Sequence, residues 1–285
     1  MDDEFSVTAV DYRDPGAPAR FTDSLRRTGF GVLRNQPAPS ELLEQIHREW
    51  LDFFESDAKY AYAVKGGEYD GFFSTEKAET AKTHHRQDLK EYFHIYGSGR
   101  YPSEVSDAAR RYYDLVGAVA QELLGWVEAN TPTDVRNRFS MPLPQMIAGS
   151  PLTLLRVLRY PPLNGNEPPD ALRSAPHEDI NFLTVLASSN EPGLQLLRRD
   201  GHWADVPCDF GSLAINVGDM LQEVSGGYYR STTHRVVNPT GEHRDRSRIS
   251  LPLFLHPRAE VVLSDRYTAG SYLAERIKEL RRGQY

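Results

Sequence analysis

The segment Ala175-Pro176-His177-Glu178-Asp179-Ile180 places an imidazole and a carboxylate two residues apart at the start of a strand-like run. Side chains alternate across a strand, so His177 and Asp179 are expected on one face and Glu178 on the other. A second imidazole, His234, stands in Ser231-Thr232-Thr233-His234-Arg235-Val236-Val237, also strand-like and 55 residues beyond Asp179. That interval lets the chain leave and return on a neighbouring strand. Two imidazoles and one carboxylate on one face of an octahedral metal leave three positions open, the donor set of non-haem Fe(II) oxygenases. A His-x-Asp alone is weak, since nine histidines in 285 residues produce such pairs by chance. A third element adds weight. In Arg248-Ile249-Ser250, a guanidinium and a hydroxyl share a strand face and suit a carboxylate, through a bidentate charge-assisted pair and one more donor. Arg244 and Arg246 compete for that role by position, but neither has a serine two residues later.

The elements that must position these groups change character along the chain. The first half carries helical periodicity: Leu43, Ile46, Trp50 and Phe53 after a capping Ser40, and Tyr112, Val116, Val119, Leu123 and Val127 between Ser106 and Asn130. Lys65 to Ser106 reads as loops covering a site. After Ser150 short strands follow one another: Leu154 to Leu158, Ile180 to Ala187, Gly193 to Leu197, Ser212 to Val217, Thr233 to Val237 and Ile249 to Leu255. Strands this short and dense predict a sandwich or jelly roll rather than βαβ units. Thr268 to Arg282 reads as an amphipathic helix. One domain over residues 1–285 is expected, with 1–149 mostly helical, 150–258 the β core and 259–285 a C-terminal helix.

Composition excludes several alternatives. Apolar residues at 39% and charged residues at 26% are ordinary for a globular protein. A net charge of -7 with no basic face argues against nucleic acid. A single cysteine, Cys208, forbids an intramolecular disulfide and a multi-thiolate zinc site. The acidic start Met1-Asp2-Asp3-Glu4 is not a signal peptide, and no apolar run is long enough for a bilayer, so a cytoplasmic protein without membrane partners is expected. There is no Gly-x-Ser-x-Gly elbow and no P-loop.

Taken together, the motifs resemble the isopenicillin N synthase-like family of Fe(II)/2-oxoglutarate-dependent dioxygenases. Tyr160-Pro161-Pro162, His177-Glu178-Asp179, Gly193-Leu194-Gln195, Asn216 to Gln222, His234-Arg235-Val236, Arg248-x-Ser250 and Gly29-Phe30-Gly31-Val32 are each similar to a family segment, in family order. The 14 residues from His234 to Arg248 exceed the family's usual hairpin, with Glu242 to Ser247 as the extra turn.

The resemblance implies a mainly β fold with flanking α-helices around a double-stranded β-helix (jelly-roll) core. It implies Fe(II) held by His177, Asp179 and His234, and 2-oxoglutarate bound through its distal carboxylate to Arg248 and Ser250, with the Tyr160 hydroxyl as a further donor. A small-molecule substrate would then be hydroxylated, desaturated or cyclised with O2, releasing succinate and CO2; the carboxylate at Asp179 speaks against halogenation. Arg156 shares a strand face with Leu158 and Tyr160 and suits either a substrate carboxylate or the inner end of 2-oxoglutarate; a structural ion pair serves it equally. Asn181 either lines the pocket or is an ordinary strand residue. Phe182, Phe254 and Trp203 are expected to pack, and His84 and His85 to be solvated. The same fold also serves oxidases that use no 2-oxoglutarate, and a non-catalytic jelly roll with a structural metal is the reading from another class.

Overall fold

The computed structural model describes residues 6–77, 87–168, 170–188, 193–207 and 209–282. His84, His85, Cys208 and the first four residues, on which expectations were placed, lie outside the described residues.

Among the described residues, thirteen strands and seven α-helices follow one another. The N-terminal half contributes β1 (Ala9–Asp11), α1 (Ala17–Thr28), β2 (Phe30–Arg34), α2 (Ser40–Glu55), β3 (Gly71–Phe73), β4 (Glu91–Tyr96), α3 (Ala108–Ala129), α4 (Thr133–Arg136) and α5 (Leu143–Ile147). Next come β5 (Leu154–Tyr160), β6 (Ser174–His177), β7 (Leu183–Ala187), β8 (Leu194–Leu197), β9 (Trp203–Asp205), β10 (Leu213–Val217) and α6 (Asp219–Val224). The chain continues through β11 (His234–Val236), β12 (Arg248–Ser250), β13 (Pro252–Leu255) and α7 (Ala269–Arg282).

Two sheets face each other in a jelly roll. The larger has nine strands in the order β1-β2-β10-β7-β13-β5-β4-β3, with β12 also paired to β5; the smaller runs β6-β11-β8-β9. Alternation along β5 sorts its residues between two environments. Leu155 and Val157 join the core beneath the helices, whereas Leu158 and Tyr160 cluster with Tyr92 on the inner face. On the outer side α2 and α3 present Leu43, Ile46, Trp50, Tyr112, Val116 and Leu123 at helical spacing, all fully buried. Burying each such side chain contributes roughly 1.5–3 kcal/mol, so the helices fix the larger sheet while its inner face stays available for chemistry.

Three expectations are corrected here. Lys65 to Ser106 is not loop throughout: β3 and β4 lie in it, and β4 pairs with β5 along six residues, Glu91 to Tyr96. Its alternation was hidden because both faces of β4 are covered, Glu91 being neutralised by Arg159 and Lys59. Residues before Ser150 also give four strands, β1 to β4, to the larger sheet. Ser40 is the first helical residue of α2, not its cap; Pro39 precedes it in extended conformation without a side-chain cap bond.

Candidate active site

His177 and His234 are cross-strand neighbours, the last residue of β6 opposite the first of β11. Their ring centres lie 4.4 Å apart. Each ring's Nδ1 faces a backbone carbonyl two residues earlier, His177 with Ala175 at 2.8 Å and His234 with Thr232 at 3.1 Å. Those carbonyls accept only if Nδ1 carries the proton, which leaves both Nε2 lone pairs directed at a common point.

Asp179 reaches the same point by a different route from the one expected. The strand stops at His177, and residues 178–182 form an irregular loop, so ordinary strand alternation does not place the carboxylate. The loop is bound instead to the turn that starts α6. Gly218 N donates to Phe182 O at 3.0 Å, Asp219 N to Asp179 O at 2.7 Å and Met220 N to Asn181 O at 3.0 Å. A Cβ on Gly218 would collide with Asn181, so only glycine permits this approach. Asn181 is completely buried and its amide donates to Leu183 O and Thr184 Oγ1, so it braces the loop and does not line the pocket.

The Asp179 carboxylate then accepts from Thr184 Oγ1 at 2.5 Å and from Asn216 Nδ2 at 2.8 Å, both at Oδ2. Its oxygens stand 3.7 Å from His177 Nε2 and 3.8 Å from His234 Nε2. Burial opposes its charge, but the two imidazoles and the two donors outweigh burial and hold the carboxyl below the usual range. His177 is pushed down to about 4 by desolvation and by His234, so its ring is neutral and ready to ligate near neutral pH. The ligand atoms of all three residues lie within 4.8 Å of one another. Two imidazole nitrogens and one carboxylate oxygen without a thiolate fit ferrous iron with open positions.

The second constellation lies on the inner face of the larger sheet. Arg248 pairs with Tyr160 and Ser250 with Leu158 across β12 and β5. Arg248, Ser250 and Tyr160 are 6%, 5% and 4% exposed, whereas Arg244 and Arg246 are exposed, so of the three arginines Arg248 is the one that is buried. The guanidinium carbons of Arg248 and Arg173 stand 5.8 and 5.7 Å from the Tyr160 ring centre. His47 of α2 lies within electrostatic reach of Arg248; burial, then that charge, lower it to about 4.

Arg156 stands at the other end of β5. Its guanidinium lies over the Tyr92 ring at 4.4 Å and the Phe254 ring at 5.2 Å, and its Nε donates to His94 Nε2 at 2.9 Å. Phe254, expected in the core, is only half-buried and faces this inner space; Phe182 is fully buried as expected. Trp203 packs under the Arg235 guanidinium at 4.0 Å.

Reading the residues alone missed Thr184, Asn216, His94, Tyr92 and His256. Asn216 was within reach, because it belongs to the quoted segment that ends in Gly218-Asp219. It also missed Lys90 and Asp88, an ion pair at 2.7 Å with both side chains 5% exposed, in which Asp88 also accepts from Ala175 N and so fixes β6 beside His177.

A model of the 2OG-Fe(II) oxygenase superfamily matches residues 152–257. A solved structure from Shewanella oneidensis, provisionally assigned as an oxygenase, is 50% identical over 97% of this chain and 99% of its own, with a TM-score of 0.88. A 2-oxoglutarate-Fe(II) type oxidoreductase of Metarhizium majus is 25% identical, covering 91% of this chain and 78% of its own. A full-length Neurospora crassa protein, solved in complex with alpha-KG, shares the fold at a TM-score of 0.78 and 19% identity, over 98% of each chain.

Proposed function

The chain belongs to the 2OG-Fe(II) oxygenase superfamily, and from that membership we propose that His177, Asp179 and His234 hold its iron while Arg248, Ser250 and Tyr160 receive the distal carboxylate of 2-oxoglutarate. The protein is an oxidoreductase that uses Fe(II), 2-oxoglutarate and O2 to oxidise a small molecule, with release of succinate and CO2. The observation that carries the residue assignment is the convergence of the two Nε2 atoms and the Asp179 carboxylate.

The bound iron and keto acid supply the activation of dioxygen. The chain's own residues do the rest. Ala175 O and Thr232 O fix the imidazole tautomers, and Thr184 and Asn216 keep Asp179 ionised and in place. Arg248 offers a charge-assisted fork in a buried setting, where a carboxylate is held more strongly than in water. Partial exposure of His177 (34% of its side chain) leaves this face of the three ligand groups accessible. Hydroxylation, desaturation and ring closure all fit this arrangement. The net charge of -7 supports a small-molecule partner over nucleic acid. A reducing cytoplasm is the proposed compartment, where the lone Cys208 stays a thiol.

The test is a turnover screen of anaerobically Fe(II)-loaded protein across small molecules. One compound should couple its own oxidation to 2-oxoglutarate-dependent succinate release. Oxidation of a substrate at full rate without 2-oxoglutarate would refute the assignment of Arg248.

A further inference from the structure

The inner face of the larger sheet presents two arginines, Arg156 on β5 and Arg248 on β12, and the distal carboxylate of one small diacid does not serve both. Arg156 and Arg248 are separated by four residues of β5, because Arg248 pairs with Tyr160. At about 3.3 Å per residue that is roughly 13 Å. A five-carbon diacid spans four carbon–carbon bonds of about 1.5 Å, roughly 5 Å end to end. Held at its distal end by Arg248, a diacid of that length does not bridge these two strand positions.

Arg156 nevertheless sits beside the metal site. Phe254, which covers it, is the cross-strand partner of Thr184, the residue that holds Asp179. The arginine is also oriented. His94 Nδ1 faces Tyr69 O at 2.9 Å and is therefore the protonated nitrogen, so Nε2 accepts from Arg156 Nε and turns the outer edge of the guanidinium away from His94. Tyr92 stacks on His94 at 4.9 Å and supports the guanidinium from one side. A second polar group lies close by. His256, one residue beyond β13, has a buried Nδ1 without a hydrogen-bond partner among the described residues, and the charges of both Asp179 and Arg156 act on it. The half-buried ring of Phe254 lies against Arg156, and that of Phe73 packs on Tyr92 and His94.

We propose that Arg156 and His256 form a carboxylate-binding subsite for the substrate that is oxidised, with His94 as the residue that positions Arg156. The substrate class is a small carboxylic acid with an apolar remainder. Arg156 meets the carboxylate with its planar fork and His256 adds one donor, while the apolar part lies along Phe254 toward the metal. This inference rests on the preceding assignment of 2-oxoglutarate to Arg248.

The test is calorimetric titration of the Fe(II)- and 2-oxoglutarate-loaded protein, under argon, with phenylacetate and hexanoate and with phenylacetamide and hexanamide. The wild type should bind at least one acid about tenfold or more tighter than its amide. R156Q should abolish that preference, and R156K, which keeps the charge without the fork, should fall between. H94A should weaken the acid several-fold, and H94Q, whose amide oxygen can accept from Arg156 Nε, should restore it; a purely structural His94 would show no such rescue. Acids binding no tighter than amides while 2-oxoglutarate binds normally would overturn this inference alone. So would an R156Q protein that keeps the preference, or that loses 2-oxoglutarate affinity as severely as R248Q. Failure of 2-oxoglutarate to bind the wild type at all would remove both readings.

Discussion

Along β5 two guanidinium groups stand in opposite settings, Arg156 on the strand itself and Arg248 on β12 beside its end. Arg248 is 6% exposed, set between the equally buried Ser250 and Tyr160, within a motif whose spacing is visible in the sequence. Arg156 is half-buried among rings contributed by β4 and β13, and its orientation depends on a histidine bonded to a loop carbonyl. A buried, preorganised end suits a ligand that never changes. A half-open end built from several elements suits a ligand that differs from one relative to another. Under the proposed assignments, that difference accounts for a co-substrate legible in the chain and a substrate that is not.

The largest effect is expected between the two ends, at the metal. D179A should lower Fe(II) affinity by more than about 100-fold, exceeding the effect of an outer residue; calorimetry with Fe(II) under argon checks it. At the closed end, R248Q should weaken 2-oxoglutarate by roughly 2 kcal/mol or more, about 30-fold, because a buried carboxylate loses its charged partner. The same substitution should leave the acid-over-amide preference in place, and loss of that preference would merge the two ends into one site.

His47 tests the burial of the closed end. The ordinary histidine value is 6.5 and the folded protein holds His47 near 4. Protonation therefore favours the unfolded chain once pH drops below 6.5, and stability falls until about 4 and then levels off. H47Q should flatten that decline by about 2 kcal/mol, discounted for its partial exposure, measured by urea unfolding across pH. N216A should cost about tenfold in Fe(II) affinity, since one donor to Asp179 is lost. The smallest change belongs to S250A, about 1 kcal/mol or fivefold in 2-oxoglutarate Kd, one hydroxyl donor beside an intact guanidinium.

Legibility followed the physics of each element. His177, Asp179 and His234, which the fold brings together, and the Arg248-x-Ser250 pair could be singled out because short motifs on or beside strands keep their spacing whatever surrounds them. Strand alternation was the wrong reason for where Asp179 lies: amides 218–220, distant in sequence, place it beside the two histidines, and no periodicity encodes that. β4 escaped notice because Glu91 and His94 interrupt its apolar pattern, and their partners Arg159 and Arg156 lie more than 60 residues away. His256 gave no signal, because a lone histidine acquires meaning only from what the fold brings beside it.

The central claim is that three side chains gather one metal whose open positions, together with Arg248, receive a keto diacid. Anaerobic calorimetry of 2-oxoglutarate into the protein, with and without Fe(II), tests it most directly. The account predicts one binding event per chain that requires the metal and is lost in D179A. Equally tight binding to metal-free protein, or to D179A, would contradict it.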